Sequence, residues 1–408
     1  MNVSKSSGKS TSPALAAYGP LLLAAWEDTT PGNPEIVMAT SADGGATFGT
    51  WQNISQTPGE STCFDWTQQG EHYYFVWSDN TPGNKDVFYR RLDVIPPIGS
   101  VFANLSASAA DSVCPKIAVT GGNVYVAWTE NGSVKFRRST DGGATFKPMI
   151  TLGCSPLVSD IAAAGPNVSV LTNRAGRSTS ANSGAGFVTS GPGCGPVNVG
   201  DVEWGYVFAA DPFFYYLFRV KPAPGNQANI YFRREGPVNI PNTLVCHQHE
   251  MGTDRAGIIA SGRSIYAWWD WAASGPGLLF TRSADGGLTW SGAADVTGGS
   301  FLNPGRQRAV LAGKNLYFVW EAMGGTNDIW FRRSTDAGAS FGPVANVSNN
   351  STNSSTPAVL VNGLTAYVGW EDAGMGGNKD IFLNRSATGS FSVVPDGAPP
   401  VRSSGCGG

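Results

Sequence analysis

The sequence predicts an all-β protein, a β-propeller of four-stranded blades with eight blades in its circuit. Three observations predict it. First, an eight-residue stretch returns at a fixed phase: SADGGATF from Ser41 to Phe48, STDGGATF from Ser139 to Phe146, SADGGLTW from Ser283 to Trp290, and STDAGASF from Ser334 to Phe341. Second, short apolar runs end at Trp26, Trp77, Trp128, Trp269, Trp320 and Trp370, with degenerate copies ending at Thr172 and Phe218. These landmarks stand about fifty residues apart or slightly less, the spacing of a repeat array. Third, turn signals recur every ten residues or so, and no segment carries helical periodicity.

Each unit reads alike. A strand such as PKIAVTG leads through a Gly-rich turn to the Trp strand, and a loop such as SDNTPGNKD follows. A third strand, DVFYRR or DIWFRR, runs into the Asp-containing turn, and a fourth ends in N-[VIL]-S. The Trp strand is almost continuously apolar, as a strand buried on both faces must be. The blades fall at approximately 5–55, 56–106, 107–153, 154–200, 201–250, 251–298, 299–348 and 349–395. They form a single propeller domain over 1–395, followed by a flexible tail, 396–408. NVSKSSGKSTSPALAAYG at the start aligns with NVSNNSTNSSTPAVLVNG from Asn346 to Gly363. Asn2-Val3-Ser4 is therefore expected to be a fourth strand completing the last blade, beside a short strand from Ser390 to Pro395. Blades four and five lack the Asp turn, and RSTSANSGAGFVTSGPG reads as a low-complexity stretch. A seven-bladed circuit with an inserted region is the alternative there.

Composition narrows the function. The chain has 408 residues, 41% hydrophobic and only 14% charged, with 53 Gly and 26 Pro, so its surface is neutral and turn-rich. A formal charge of −3 supplies no basic field for nucleic acid. No apolar run reaches the ~18–20 residues that span a membrane, so no membrane insertion is expected. The first thirty residues lack a basic-then-apolar signal, so an exported form would have lost its signal peptide. The six cysteines Cys63, Cys114, Cys154, Cys194, Cys246 and Cys406 form no CxxC unit. Buried thiols and disulfides of an exported protein both remain open. Ten sequons begin at Asn2, Asn53, Asn104, Asn131, Asn167, Asn346, Asn349, Asn350, Asn353 and Asn384. They fit an extracellular glycoprotein, although several belong to the repeated N-[VIL]-S ending.

The repeated turn is a hairpin device. Its Asp (Asp43, Asp141, Asp285, Asp336) accepts hydrogen bonds from its own turn, and its glycines (Gly45, Gly143, Gly287, Gly338) supply positive φ. The hydroxyls of Ser41, Ser139, Ser283 and Ser334, with Thr47, Thr145, Thr289 and Ser340, tie the two sides. Phe48, Phe146, Trp290 and Phe341 pack between sheets. The pattern resembles the sialidase-type Asp box, or BNR repeat, and on it the chain resembles the sialidase-like propeller superfamily over essentially its full length. SATGSF, from Ser386 to Phe391, is a degenerate copy.

The resemblance implies that the box joins third and fourth strands, on the face away from the active or binding site. It does not bring sialidase activity with it. Sialidases use six blades, an Arg triad and an early Arg-[Ile/Leu]-Pro segment, and this sequence has no such segment. Arg90, Arg91, Arg137, Arg138, Arg233, Arg234, Arg332 and Arg333 occupy one repeat position, so they are read as packing and surface charge rather than a triad.

Candidate sites therefore belong to the opposite face. Glu27, Asp28, Asp79, Glu130, Asp270, Glu321, Glu371 and Asp372 follow the Trp strands, and Glu35, Asp86, Asp328 and Asp380 follow the loops. Such oxygens either bind Ca²⁺ or rigidify the loops through hydrogen bonds. In CHQHEMGTDR, His247 and His249 share one side of an extended segment, and Glu250 and Asp254 would complete a divalent-metal cluster for Zn or Ca. Trp268, Asp270 and Trp271, with Trp66, offer the surface that stacks on a sugar ring, and Arg306 and Arg308 offer an anion contact. The leading function is a secreted or cell-surface, non-catalytic binding module for a glycan or surface protein. The alternatives are a self-assembling structural protein and a sialidase-like glycoside hydrolase.

Overall fold

The computed structural model describes residues 1–408 except 94–99, 155–156, 173–175, 191–200, 211, 222–227, 238, 250–255, 272–276, 300–302, 324–325, 374–377 and 392–408. The fold is an eight-bladed β-propeller without helices among the described residues. Among the described residues every blade is an antiparallel meander in sequence order, four strands in seven blades and three in the last. The seven-bladed alternative is set aside: residues 158–190 and 201–249 each form a complete four-stranded sheet.

Contacts divide the chain into two compact units. One comprises Met1–Ile54, His249–Ile259 and Arg263–Gly408, and the other Ser55–Gln248 with Ala260–Gly262. The first therefore holds blades one, seven, eight and most of six; the second holds blades two to five.

Within each unit the core lies between successive sheets. The Trp strands (Leu21–Asp28, His72–Asp79, Asn123–Glu130) are buried almost throughout, and Trp26, Trp77, Trp128, Trp269 and Trp320 are fully buried. In the first unit Leu15, Leu22 and Trp26 pack with Tyr367, Ile381 and Leu383 of blade eight. In the second, Tyr74, Val76 and Tyr89 pack with Ile117, Val124 and Trp128 of the next blade. Blades four and five lack the Trp but keep the scheme, with Leu171 packed against Val207, Phe214 and Tyr216.

The closing segment takes its expected place. Asn2 bridges Phe382 antiparallel, Val3 N–H donates to Ile381 O at 2.7 Å, and Leu383 N–H donates to Met1 O at 2.9 Å. The side chains repeat a device used in other blades. Asn2 Nδ2 and Ser4 Oγ donate to the two Asp380 oxygens at 2.9 and 2.6 Å. Asn104 and Ser106 hold Asp86 in the same way, at 2.7 and 2.7 Å. Asn346 and Ser348 hold Asp328 at 2.8 and 2.6 Å. The Asp that opens a third strand thus clamps the N-x-S that ends the fourth. Three sequon asparagines therefore spend their amide nitrogens on buried or half-buried carboxylates, where attached carbohydrate would break the clamp. The fourth strand expected from Ser390 to Pro395 lies mostly outside the described residues.

Removing Asp380 strands Asn2 and Ser4 and frees the closing segment. Asp380→Ala should lower unfolding free energy by about 2–3 kcal/mol, the scale of hydrogen bonds to a charged group. Deletion of residues 1–12 should depress the melting temperature further. Urea midpoints equal to wild type in both variants would show that the clamp holds nothing.

Candidate functional site

Meander topology fixes the two ends of each blade. First-to-second and third-to-fourth connections share one end, and second-to-third loops and blade-to-blade connections share the other. The Asp turns therefore stand opposite the long loops.

At the Asp-turn end, every turn shows one hydrogen-bond scheme. Ser41 Oγ donates to Asp43 at 2.7 Å while accepting Gly45 N–H at 2.8 Å, and Thr47 N–H and Oγ1 donate to Asp43 at 2.9 and 2.6 Å. Ser139, Asp141 and Thr145 repeat it, as do Ser283, Asp285 and Thr289, and Ser334, Asp336 and Ser340. These donors hold the carboxyls of Asp43, Asp141 and Asp285 well below the usual range. The Ser340 hydroxyl leads in bringing Asp336 to about 2. The fifth residue must be glycine because an aromatic of the preceding blade lies over it. A Cβ on Gly143 would stand 1.8 Å from Tyr89 Oη, and one on Gly338 2.5 Å from Phe280.

Sequence reasoning missed one copy. Ser180–Phe187, read as low complexity, is the same turn with Asn182 in the Asp position. Gly184 N–H donates to Ser180 Oγ at 2.9 Å and Gly186 N–H to Asn182 Oδ1 at 2.9 Å, and Phe187 packs edge-on against Phe136 at 4.8 Å. The signal was the S-x-[polar]-x-G spacing ahead of the terminal aromatic.

The strand-three arginines are stitches between blades. Arg91 Nη1 donates to Gly142 O at 2.7 Å, Arg138 to Ser183 O at 2.7 Å, Arg333 to Thr388 O at 2.9 Å and Arg385 to Gly44 O at 2.6 Å. Each reaches the turn of the following blade, so these side chains diverge around the repeat instead of meeting on one ligand. Blades four and five substitute a different contact, in which Arg177 bonds Glu235 and lies over the Tyr216 ring at 5.4 Å.

At the loop-bearing end, most repeat carboxylates are also engaged. Asp28 accepts Trp26 Nε1 at 2.8 Å, Ser10 Oγ at 2.7 Å and Thr30 N–H at 2.7 Å. Asp79 accepts Ser61, Thr57 and Thr81 N–H, and Asp372 accepts Trp370, Ser354, Thr352 and Asn350. In the structure these oxygens rigidify the loops through hydrogen bonds. Among the described residues, no trio of His, Cys, Asp or Glu is placed to hold a metal ion.

Every first strand with a described register carries a bulge near its start, and five bulge residues have positive φ: Ser12, Cys63, Cys114, Arg306 and Thr356. The bulge turns one N–H toward the preceding blade. Ser12 N–H donates to Glu371 at 2.8 Å, Cys114 N–H to Ser78 Oγ at 3.0 Å, and Thr356 N–H to Glu321 at 3.3 Å. Cys63 and Cys114 occupy this position in consecutive blades and form a disulfide across 5.2 Å between Cα atoms. It is the one disulfide among the described side chains. Neither the bulge nor the pairing was legible in the cysteine spacing.

The remaining candidates separate. Trp268 is buried and meets Phe318 edge-on at 5.5 Å, so its indole is a packing group rather than a sugar platform. Trp66 and Asp270 are half-buried, and Arg306 and Arg308 are exposed. Arg306 donates to Thr356 Oγ1 in the next blade. Trp271 ends the second strand of blade six, paired with Gly277, and His247 and His249 lie in the strand Ile240–His249. The side chains of these three, and all of Glu250 and Asp254, lie outside the described residues.

No family model matches the sequence, and no curated protein matches it. The likeness to the Asp box therefore rests on the turn itself. The likenesses to solved structures are distant. A protein of unknown function from Dyadobacter fermentans is 13% identical over 93% of this chain and 95% of its own, with TM-score 0.49. The β-propeller domain of the trilobed protease from Pyrococcus furiosus is 8% identical over 80% of this chain and 94% of that one, TM-score 0.47. A Trypanosoma rangeli sialidase is 9% identical over 92% of this chain, which spans about half of it (54%), TM-score 0.39. The class reached is a β-propeller; no ligand or activity passes to this chain from these likenesses.

Two predictions follow from the bonded groups. Replacing Cys63 and Cys114 by Ser frees a loop of sequence separation 51, which on chain entropy costs about 4 kcal/mol. A reduced protein with an unchanged urea midpoint would contradict this. Acid stability should be two-sided. Burial would push Asp79 and Glu371 up, but Thr57 at the first and Lys379 at the second bring both below their ordinary values. Their contribution is present above the unfolded value near 4 and is lost as pH falls through the folded one. Burial raises Asp160 to about 6, so its contribution is greatest below about pH 4 and is lost as pH rises through 6. Wild type should therefore lose stability relative to Asp160→Asn as pH rises from about 4 to 6; parallel urea midpoints across that window would refute the assignment.

Proposed function

We propose that this propeller is a non-catalytic binding module, secreted or displayed at the cell surface. It takes a glycan or another surface partner at the loop-bearing end. One observation carries the reading: most charges that belong to the repeat are already used. The Asp turns, the clamping aspartates, the acids after the Trp strands and the second arginine of the strand-three pair are bonded to backbone or to neighbouring side chains. Exposed side chains that break the repeat lie on first strands and loops at the opposite end. Arg306 and Arg308 are exposed examples in blade seven, where blade eight has Thr356 and Ala358, and they donate there to Thr356 Oγ1 and Gln307 O. The disulfide supports an exported protein, since such bonds persist in oxidising compartments. Asp270 and Trp271 end the second strand of blade six, and His247 and His249 end the fourth strand of blade five; all remain proposed contacts, the histidines with a divalent metal.

Engaged carboxylates weigh against a glycoside hydrolase, which needs an acid and a nucleophile or base ~5–10 Å apart and free to react. Self-assembly is favoured by one feature. The closing segment is held largely by main-chain pairing to a single strand, and such a strand exchanges between copies at little cost.

A glycan array with wild type and the double variant Arg306→Ala/Arg308→Ala tests the proposal. Both positions are exposed, so stability should change within about 0.5 kcal/mol, while partner binding should fall at least tenfold. Undiminished binding removes the arginines from the site. An array silent for wild type, with a multimeric particle in native mass measurement, favours the assembly reading.

A further inference from the structure

One register position on the first strands separates blades that only repeat from blades that do not. It is the residue paired with the one preceding the blade's Trp. In the first unit it is Ala14, opposite Ala25, and Ala358, opposite Gly369, with Arg308 the exception opposite Val319. In the second unit the same position holds Asp65, Lys116, Asp160 and Tyr206 in four consecutive blades, opposite Val76, Ala127, Leu171 and Leu217. The fold requires nothing larger than alanine here. A run of half-buried polar and charged side chains therefore calls for another explanation.

The bonding within the row is incomplete in a specific way. Asp65 Oδ2 accepts Ile117 N–H of the next blade at 3.0 Å, which leaves Oδ1 without a protein donor among the described residues. Asp160 accepts Val207 N–H of its next blade at 3.1 Å on Oδ2, and Ile161 N–H at 2.9 Å on Oδ1. Each aspartate thus stitches its own strand to the following one. Lys116, between them in the row, has no acceptor with which to do the same. Its ammonium donates no hydrogen bond and meets no carboxylate within 4.0 Å among the described residues, although Asp160 feels its charge and that of Asp65. The row presents a half-buried donor and a half-buried acceptor on the first strands of their sheets, which pack against the first strands of the neighbouring blades.

We propose that Asp65, Lys116 and Asp160 form a subsite on the first strands of blades two to four for a neutral saccharide. One ligand hydroxyl accepts from Lys116 and another donates to Asp65. Charge selects this class. An acidic sugar would bring a third negative group to two aspartates and one lysine, and a cation would meet the lysine. A hydroxylated neutral ring satisfies donor and acceptor together, and Tyr206, at the same position one blade on, adds an aromatic phenol to the row. The inference rests on the binding-module reading above and names its ligand class.

The test uses the full chain and soluble neutral oligosaccharides: the hexaoses of cellulose, xylan, mannan, maltodextrin and chitin, read by saturation-transfer NMR and calorimetry. Wild type should bind at least one. Lys116→Met and Asp65→Asn should each weaken it tenfold or more, with wild-type circular dichroism. In reductively methylated wild type, the Lys116 resonance should shift on adding the bound sugar, a readout independent of any variant's folding. Binding unchanged within twofold in both variants, or an unmoved Lys116 resonance, overturns the subsite while leaving the module reading intact. Binding of acidic glycans alone overturns the neutral class. If no saccharide of either kind binds wild type, the subsite and the glycan half of the proposed function fall together.

Discussion

A blade buried on both faces has to find partners for its polar groups in the adjacent blade, and this constraint governs nearly every charged residue described here. A four-stranded sheet satisfies its internal ladder, but its loops, bulges and outer strand leave N–H and C=O groups over. In this chain the repeat supplies the missing partners at fixed places. A strand-three arginine reaches the following turn, and a side chain after the Trp strand reaches the following bulge. A third-strand aspartate holds the fourth strand of its own blade. Arrays of this kind gain stability chiefly from such neighbour terms, so blades with poor intrinsic signals are still carried by those beside them.

That carrying explains what could and could not be read from the sequence. The blade count, strand order, closing segment and diverging arginines were legible, because each is a periodic pattern and period is what sequence displays. The Asn182 turn was not recognised, because an Asp-to-Asn change hides the motif while an amide oxygen still accepts Gly186 N–H. Trp268, expected among the sugar-stacking residues, is buried instead. Beside it in space lies Gly257, and a Cβ there would stand 2.1 Å from the Trp268 ring, so the indole fills room that a missing side chain on the first strand leaves. Complementary size across two strands is a tertiary fact with no local signature. The disulfide was hidden for a related reason: its cysteines are fifty-one apart in sequence and adjacent only through the bulge register.

The same logic separates structure from function in the acidic residues. Counted along the chain, the carboxylates after the Trp strands look like a cation site. Counted by bonds, Asp28, Asp79 and Asp372 each accept an indole N–H together with hydroxyl or backbone donors, a set that leaves little for a ligand. The unusual positions are the quieter ones, such as Lys116, which lies in no motif and is conspicuous only when set against the alanines of equivalent strands.

The closing segment carries a consequence for how the molecule is made. Asn2 and its partner Asp380 are 378 positions apart. On a ribosome that builds the chain from its N-terminus at roughly 5–20 residues per second, domains generally fold as their sequence emerges. The strand from Asn2 is therefore made before the strand it pairs with, and until Phe382 emerges it waits with its Val3 face and main-chain groups unmatched. The serine, lysine and glycine from Ser4 to Ser10 keep that waiting end polar and poorly suited to pairing with strangers. A propeller closed this way is finished by a segment made long before its partner.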